Sequence, residues 1–259
     1  METSTVTRST GARSGLWAAP AILLLGVAAA CWVITAKRMQ GMDMGPGTEL
    51  GGLGWFALVW ATMMAAMMLP SLAPMGQAYA RSGRDAGATA PTAASIVFAA
   101  GYLLSWVAVG VLAYGLIEVI RSLHLAWLSW HRGGPYVAGG VILATAIYEL
   151  TPAKRLCLRH CREPELLARR WRAGFRGALR TGVEHGGFCV GSSWALMAAL
   201  FALGVMNVAW MIVMAAVVAI EKLLPWNGVA IGAAVVFIAA LGLAVAFAPG
   251  QVPGLTIPM

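Results

Sequence analysis

An all-α bundle of transmembrane helices is the fold class this sequence predicts, and three observations predict it. Of 259 residues, 60% are hydrophobic and only 11% are charged, with a mean hydropathy of +0.77. A water-soluble globule of this size could not bury so much apolar surface and still present a polar skin. Apolar runs of spanning length recur between charged residues, and the basic residues fall mainly on one side of the resulting topology. Disordered, collagen-like and disulfide-framework classes are excluded: the chain is too apolar, lacks a triplet period and has four cysteines.

A bilayer span needs about 20 apolar residues. Leu16–Ala36 forms the first and ends at Lys37-Arg38. Arg8, Arg13 and the Ala28-Ala-Ala-Cys31 step resemble a signal peptide, but the apolar run continues through Trp32–Ala36, so an uncleaved first span is expected. Leu53–Gly76 is the second span, Ala93–Ile120 the third and Pro135–Leu150 the fourth. The 35 apolar residues from Gly186 to Ile220 are too long for one tilted span, and Gly204-Val-Met-Asn207 is the natural turn between a fifth and a sixth. After Glu221-Lys222, the turn-forming Pro225-Trp226-Asn227-Gly228 opens a last span to about Ala248. Seven spans result, or six if the fifth and sixth form a re-entrant pair. The expected organisation is a cytoplasmic tail at 1–15, one helical membrane domain at 16–248 with a basic cytoplasmic loop at 153–185, and a C-terminal tail at 249–259.

With the N-terminus inside, 14 Lys and Arg residues lie on the inner side and four on the outer; nine of the 14 fall between Lys154 and Arg180. The expected location is therefore the cytoplasmic (inner) membrane. Topology and contact with anionic lipid head groups account for the basic loop, which carries no nucleic-acid-reading motif. His124 and His131, flanking Trp127 and Trp130, suit an outer interfacial segment.

Soft-ligand residues cluster at the inner face. In Cys157-Leu-Arg-His160-Cys161 the three side chains fall near one face of a helix. Cytosolic thiols stay reduced, so Cys157 and Cys161 are ligands or small buried hydrophobes rather than a disulfide. His185 and Cys189 repeat the four-residue spacing downstream. Together these offer three sulfurs and two imidazoles, the donor types of transition-metal sites. Glu149, Glu184 and Glu221 share that face. Each either pairs locally (Glu149 with Lys154 or Arg155, Glu221 with Lys222 or a loop arginine) or supports a ligating histidine. Met63, Met64, Met67 and Met68 form two i,i+4 pairs in the second span, read either as packing or as thioether ligands suited to Cu(I). Pro70, just beyond, removes a helix donor and predicts a kink. Met39, Met42 and Met44 add thioethers in the outer loop. No nucleophile–base triad and no phosphate-binding glycine loop is present.

The motifs Met63-Met-Ala-Ala-Met-Met-Leu-Pro-Ser71, Tyr148-Glu-Leu-Thr-Pro-Ala-Lys154, Cys157-Leu-Arg-His-Cys-Arg-Glu-Pro164, His185-Gly-Gly-Phe-Cys189 and Glu221-Lys222 occur in that order. Over roughly residues 50–225 the chain thereby resembles the predicted metal-binding integral membrane proteins called domain of unknown function 2182. The resemblance implies a polytopic helical fold and a metal role, but no reaction. One departure stands out: that family typically reads Gly-Cys-Cys-Trp after the last cysteine motif, where this chain has Gly191-Ser192-Ser193-Trp194.

The expected function is binding of a soft transition metal, copper ahead of zinc or iron, for metal handling or supply to a membrane enzyme or metallochaperone. Cys157, His160, Cys161, His185 and Cys189 are the expected ligands, with Glu149, Glu184 and Glu221 in support and the four methionines of the second span as weaker candidates. A metal-dependent membrane enzyme, such as an oxidoreductase or monooxygenase component, is one rival. A structural membrane subunit without metal is the other.

Overall fold

The computed structural model describes residues 10–39, 51–123, 133–204, 207–224, 228–252 and 255. Met42, Met44, His124, Trp127, Trp130, His131, Met206 and the Pro225–Asn227 turn lie outside the described residues, as do most of the expected 1–15 and 249–259 tails. Among the described residues the protein is helical, without strands. The helices are α1 (Thr10–Met39), α2 (Leu53–Asp85), α3 (Pro91–Ser122), α4 (Gly134–Glu149), α5 (Pro152–Arg162), α6 (Pro164–Ala168), α7 (Gly174–Leu203), α8 (Val208–Leu223) and α9 (Gly228–Phe247).

The seven expected spans correspond in order to α1, α2, α3, α4, α7, α8 and α9. Their lengths divide them. Among the described residues, four helical segments are long and apolar enough to cross a membrane: Ala19–Met39, Leu53–Asp85, Pro91–Ser122 and Gly174–Leu203. A fifth follows if α4 and α5, bent 68° from each other, make one broken span. With 16 residues each, α4 and α8 reach only about 24 Å at 1.5 Å per residue, short of a ~30 Å hydrocarbon core. The long apolar stretch does divide at Gly204, whose φ of +102° ends α7. Asn207 then opens α8 by accepting from the backbone N–H groups of Ala209 and Trp210 at 2.9 and 3.2 Å.

Two boundaries differ from the hydropathy reading. The second helix runs through Pro70 and Pro74 to Asp85 as one element. The basic segment at 153–185 is itself largely helical: it holds α5, α6 and the first twelve residues of α7. Hydropathy marks where apolar residues begin, whereas a helix also propagates through polar residues that face away from its neighbours. In α7 the chain buries Ala178, Thr181, Gly182, His185, Gly186 and Cys189 while Arg176 and Arg180 stay exposed.

Small residues set the packing of α7 on α3. A Cβ on Gly182 would stand 2.1 Å from the Phe98 carbonyl oxygen, and one on Gly101 would stand 2.3 Å from the Leu179 oxygen. The two backbones touch, which only glycine permits. Helix α2 is the hub, packed by α1, α3, α6 and α8, and its Met63–Leu69 stretch is wholly buried.

Candidate metal centre

Short helix α5 is amphipathic. Thr151 caps it by accepting from Lys154 N–H, Pro152 sits at its first position, and Lys154, Leu158 and Cys161 form its buried stripe. The 68° bend after α4 lays this stripe against α7 and α8. Two buried polar groupings result.

The first is a charge triad. Lys154 Nζ bonds to Glu149 Oε2 and lies 2.8 Å from Glu221 Oε1, and all three residues are at most 7% exposed. Of the pairings expected for these carboxylates, Glu149 takes Lys154 as anticipated. Glu221 takes Lys154 too, rather than its chain neighbour Lys222.

The second grouping is a pocket of sulfur. Lys222 Nζ donates to Cys189 Sγ at 2.7 Å and approaches Met68 Sδ at 3.9 Å. The Tyr102 hydroxyl lies 2.8 Å from the same Cys189 sulfur. Cys161 Sγ lies 3.9 Å from Ser192 Oγ on the same side of α7 as Cys189. Met68, Cys161, Cys189 and Ser192 are each at most 5% exposed. The Lys222 ammonium of α8 thus joins a thiol of α7 to a thioether of α2, and Cys161 of α5 approaches the same stretch of α7 through Ser192. Ser192, the first serine of Gly191-Ser192-Ser193-Trp194, faces Cys161 across this pocket; it donates to the Cys189 carbonyl at 2.9 Å and lies 3.3 Å from Ser193 Oγ.

The other predicted residues lie apart from the sulfurs. Cys157 packs on Gly191, where an added Cβ would meet its sulfur at 2.6 Å. His160 Nδ1 bonds to the Leu156 carbonyl at 2.9 Å, and its ring stacks on Phe188 with centroids 4.4 Å apart. His185 is buried beside Phe98 and Tyr102. The two histidines line one small cavity with Arg170, Thr181 and Phe188. Glu184 pairs with Arg172 at 2.8 Å and Arg180 at 3.4 Å near the surface. Met63, Met64 and Met67 lie, like Met68, Cys161 and Cys189, in the buried hydrophobic core. Among the described residues no three His, Cys, Asp or Glu side chains converge as a metal-binding group.

Lys222 is the buried group beside these sulfurs that was not among the expected ligands. Its signals in the sequence are its place in the Glu221-Lys222 motif and a basic residue closing an otherwise apolar helix, which also describes an ordinary inner-face anchor.

Neither the comparison with curated proteins nor that with solved structures finds a match. A family model does: the one described as a copper chaperone, PpoB2, matches residues 57–245, which takes in Met68, Cys161, Cys189 and Lys222. A soft-donor pocket inside that match suits the description, and the chain belongs to the PpoB2 copper-chaperone family.

Proposed function

We propose that this protein is a multi-pass protein of the bacterial inner membrane, with its N-terminus inside, that carries Cu(I) as cargo and supplies it to a membrane enzyme or metallochaperone. Cys161, Cys189 and Met68 hold the ion. The observation that carries this reading is the Lys222 ammonium lodged against Cys189 and Met68: a cation already lies between a thiol and a thioether.

The donor set fits the cargo. Thiolate and thioether are soft ligands, and Cu(I) prefers them to oxygen and imidazole. Burial keeps water and oxidants from the ion. Both cysteines bind the ion as thiolates, so any thiol proton leaves as the ion enters. The histidine-lined cavity against the same stretch of α7 gives imidazole donors a place on the approach route, with His160 and His185 as transient partners. Glu149 and Glu221 act through Lys154 and do not touch the ion. Cys157 and Glu184 stand aside. Membership in a copper-chaperone family, helices able to cross a membrane, and the resemblance to domain of unknown function 2182 all support the same reading.

The test is anaerobic Cu(I) titration of the detergent-purified full chain against a chromophoric Cu(I) chelator. One Cu(I) per chain is expected in wild type, in Cys157→Ser and in Glu184→Ala, and none that competes with the chelator in Cys161→Ser/Cys189→Ser. Full copper retention by the double variant would overturn the reading.

A further inference from the structure

Lys222 does more than fill space in the sulfur pocket. Resting on the copper reading above, we propose that Lys222 determines the charge selectivity of this site, favouring soft monovalent over soft divalent cations. Its Nζ lies 2.7 Å from Cys189 Sγ and 3.9 Å from Met68 Sδ, so any ion bound by these sulfurs has the ammonium as a near neighbour. The repulsion between the ammonium and that ion scales with the ion's charge, so a divalent ion is opposed twice as strongly as a monovalent one at the same place. Lys222 is 9% exposed and Cys189 is fully buried, so water screens this difference weakly.

Softness does not supply this discrimination, because thiolates also bind Zn(II) and Cd(II) well. Charge does. Two thiolates with Cu(I) make a unit of charge −1, which the ammonium offsets. Two thiolates with Zn(II) are neutral and leave the ammonium without an opposite charge beside it. In each case the sulfurs bind as thiolates, any thiol proton leaves for the solvent as the S–metal bonds form, and no electron is transferred, so the proton count is the same for both ions. Glu149 and Glu221 also attract both ions, but they are engaged by Lys154 and remain unchanged when Lys222 is replaced. The metal-free site, with Lys222 on Cys189, is the common starting state for both ions. The cost of displacing Lys222 from Cys189 therefore cancels in the ratio of affinities, and only the charge term remains.

The experiment measures Cu(I) and Zn(II) affinities of the full chain in detergent for wild type, Lys222→Gln, Lys222→Leu and Lys222→Arg, by chelator competition. The Cu(I):Zn(II) affinity ratio should fall at least about tenfold in the two neutral variants, and it should stay within about threefold of wild type in the arginine variant. Copper binding that does not depend on Cys161 and Cys189 overturns the underlying copper reading. Cysteine-dependent binding with an unchanged ratio in both neutral variants overturns the role of Lys222 alone. Should the neutral variants fail to fold, wild type decides through Ag(I) and Cd(II), which are both soft. Uptake of Ag(I) without the cysteine–cadmium charge-transfer absorption on equimolar Cd(II) supports the proposal, and stoichiometric Cd(II) binding overturns it.

Discussion

Lys154 and Glu221 lie 67 positions apart in the chain and meet at 2.8 Å in the protein interior, where the start of α5 reaches the end of α8. Because Lys154 also binds Glu149, one ammonium bonds carboxylates from two other helices. Removing it strands both. Lys154→Met should destabilise the protein by about 3–5 kcal/mol, the range for breaking a buried ion pair by deleting one partner. A thermal melt of the purified protein in detergent checks this. The triple replacement Lys154→Met/Glu149→Gln/Glu221→Gln should recover much of the loss, since no charge is then left unpaired.

Gly182 marks the closest approach of α7 to α3. Gly182→Ala directs its methyl group at the Phe98 carbonyl, which is backbone and cannot rotate aside. A loss of about 1–3 kcal/mol is expected, as for other overpacked sites. Gly187 has nothing within 4 Å of its added Cβ, so Gly187→Ala should be neutral or gain up to ~1 kcal/mol from helix propensity. Chemical or thermal unfolding of the pair separates a packing effect from a general intolerance of α7 to substitution.

Thiol accessibility tests the division between Cys157 and the sulfur pocket. Cys157 is half-buried, whereas Cys161 is 5% exposed and Cys189 is fully buried. In a Cys31→Ser background a maleimide should modify one thiol of the folded protein quickly, and Cys157→Ser should abolish that labelling. Cys161 and Cys189 should react only after unfolding. Rapid labelling of Cys189 in the folded chain would show that the pocket opens to solvent.

Ser192 gives a gain-of-function test. Its Oγ lies 3.9 Å from Cys161 Sγ, so Ser192→Cys adds a third thiol to the pocket. Cu(I) affinity should rise by about tenfold, equivalent to ~1.4 kcal/mol, because a soft donor replaces a hard hydroxyl. Chelator competition measures it. The neighbouring Ser193→Cys, for which no sulfur contact is seen, serves as the comparison.

Much of this was legible along the chain. The apolar runs place α3, α4, α8 and α9 close to their observed positions and locate α1 and the start of α2, and the break at Gly204 falls where glycine and a capping Asn207 suggest it. The start of α7 was not legible from hydropathy, because Arg176, Arg180 and Glu184 lie on one exposed side of a helix that has already begun at Gly174. Consequently Cys189 stands midway along its helix rather than near the start. The soft-ligand inventory was also legible, but the grouping within it was not. Spacing by four puts Cys157 and Cys161 on one face of α5, yet one meets Gly191 and the other meets Ser192.

By itself the sequence determined the helical class, the order of the apolar helices and the stock of sulfur and imidazole side chains. These follow from local composition and from periodicity along a single helix, which neighbours in the chain are enough to set. Only the tertiary structure decided that Met68, Cys161 and Cys189 share a pocket with Lys222, while His160 and His185 line a separate cavity. That choice depends on how faces of four different helices meet. The meeting is governed by the 68° bend between α4 and α5 and by the backbone contact of α7 with α3 at Gly101 and Gly182, and spacing within one helix carries no information about either.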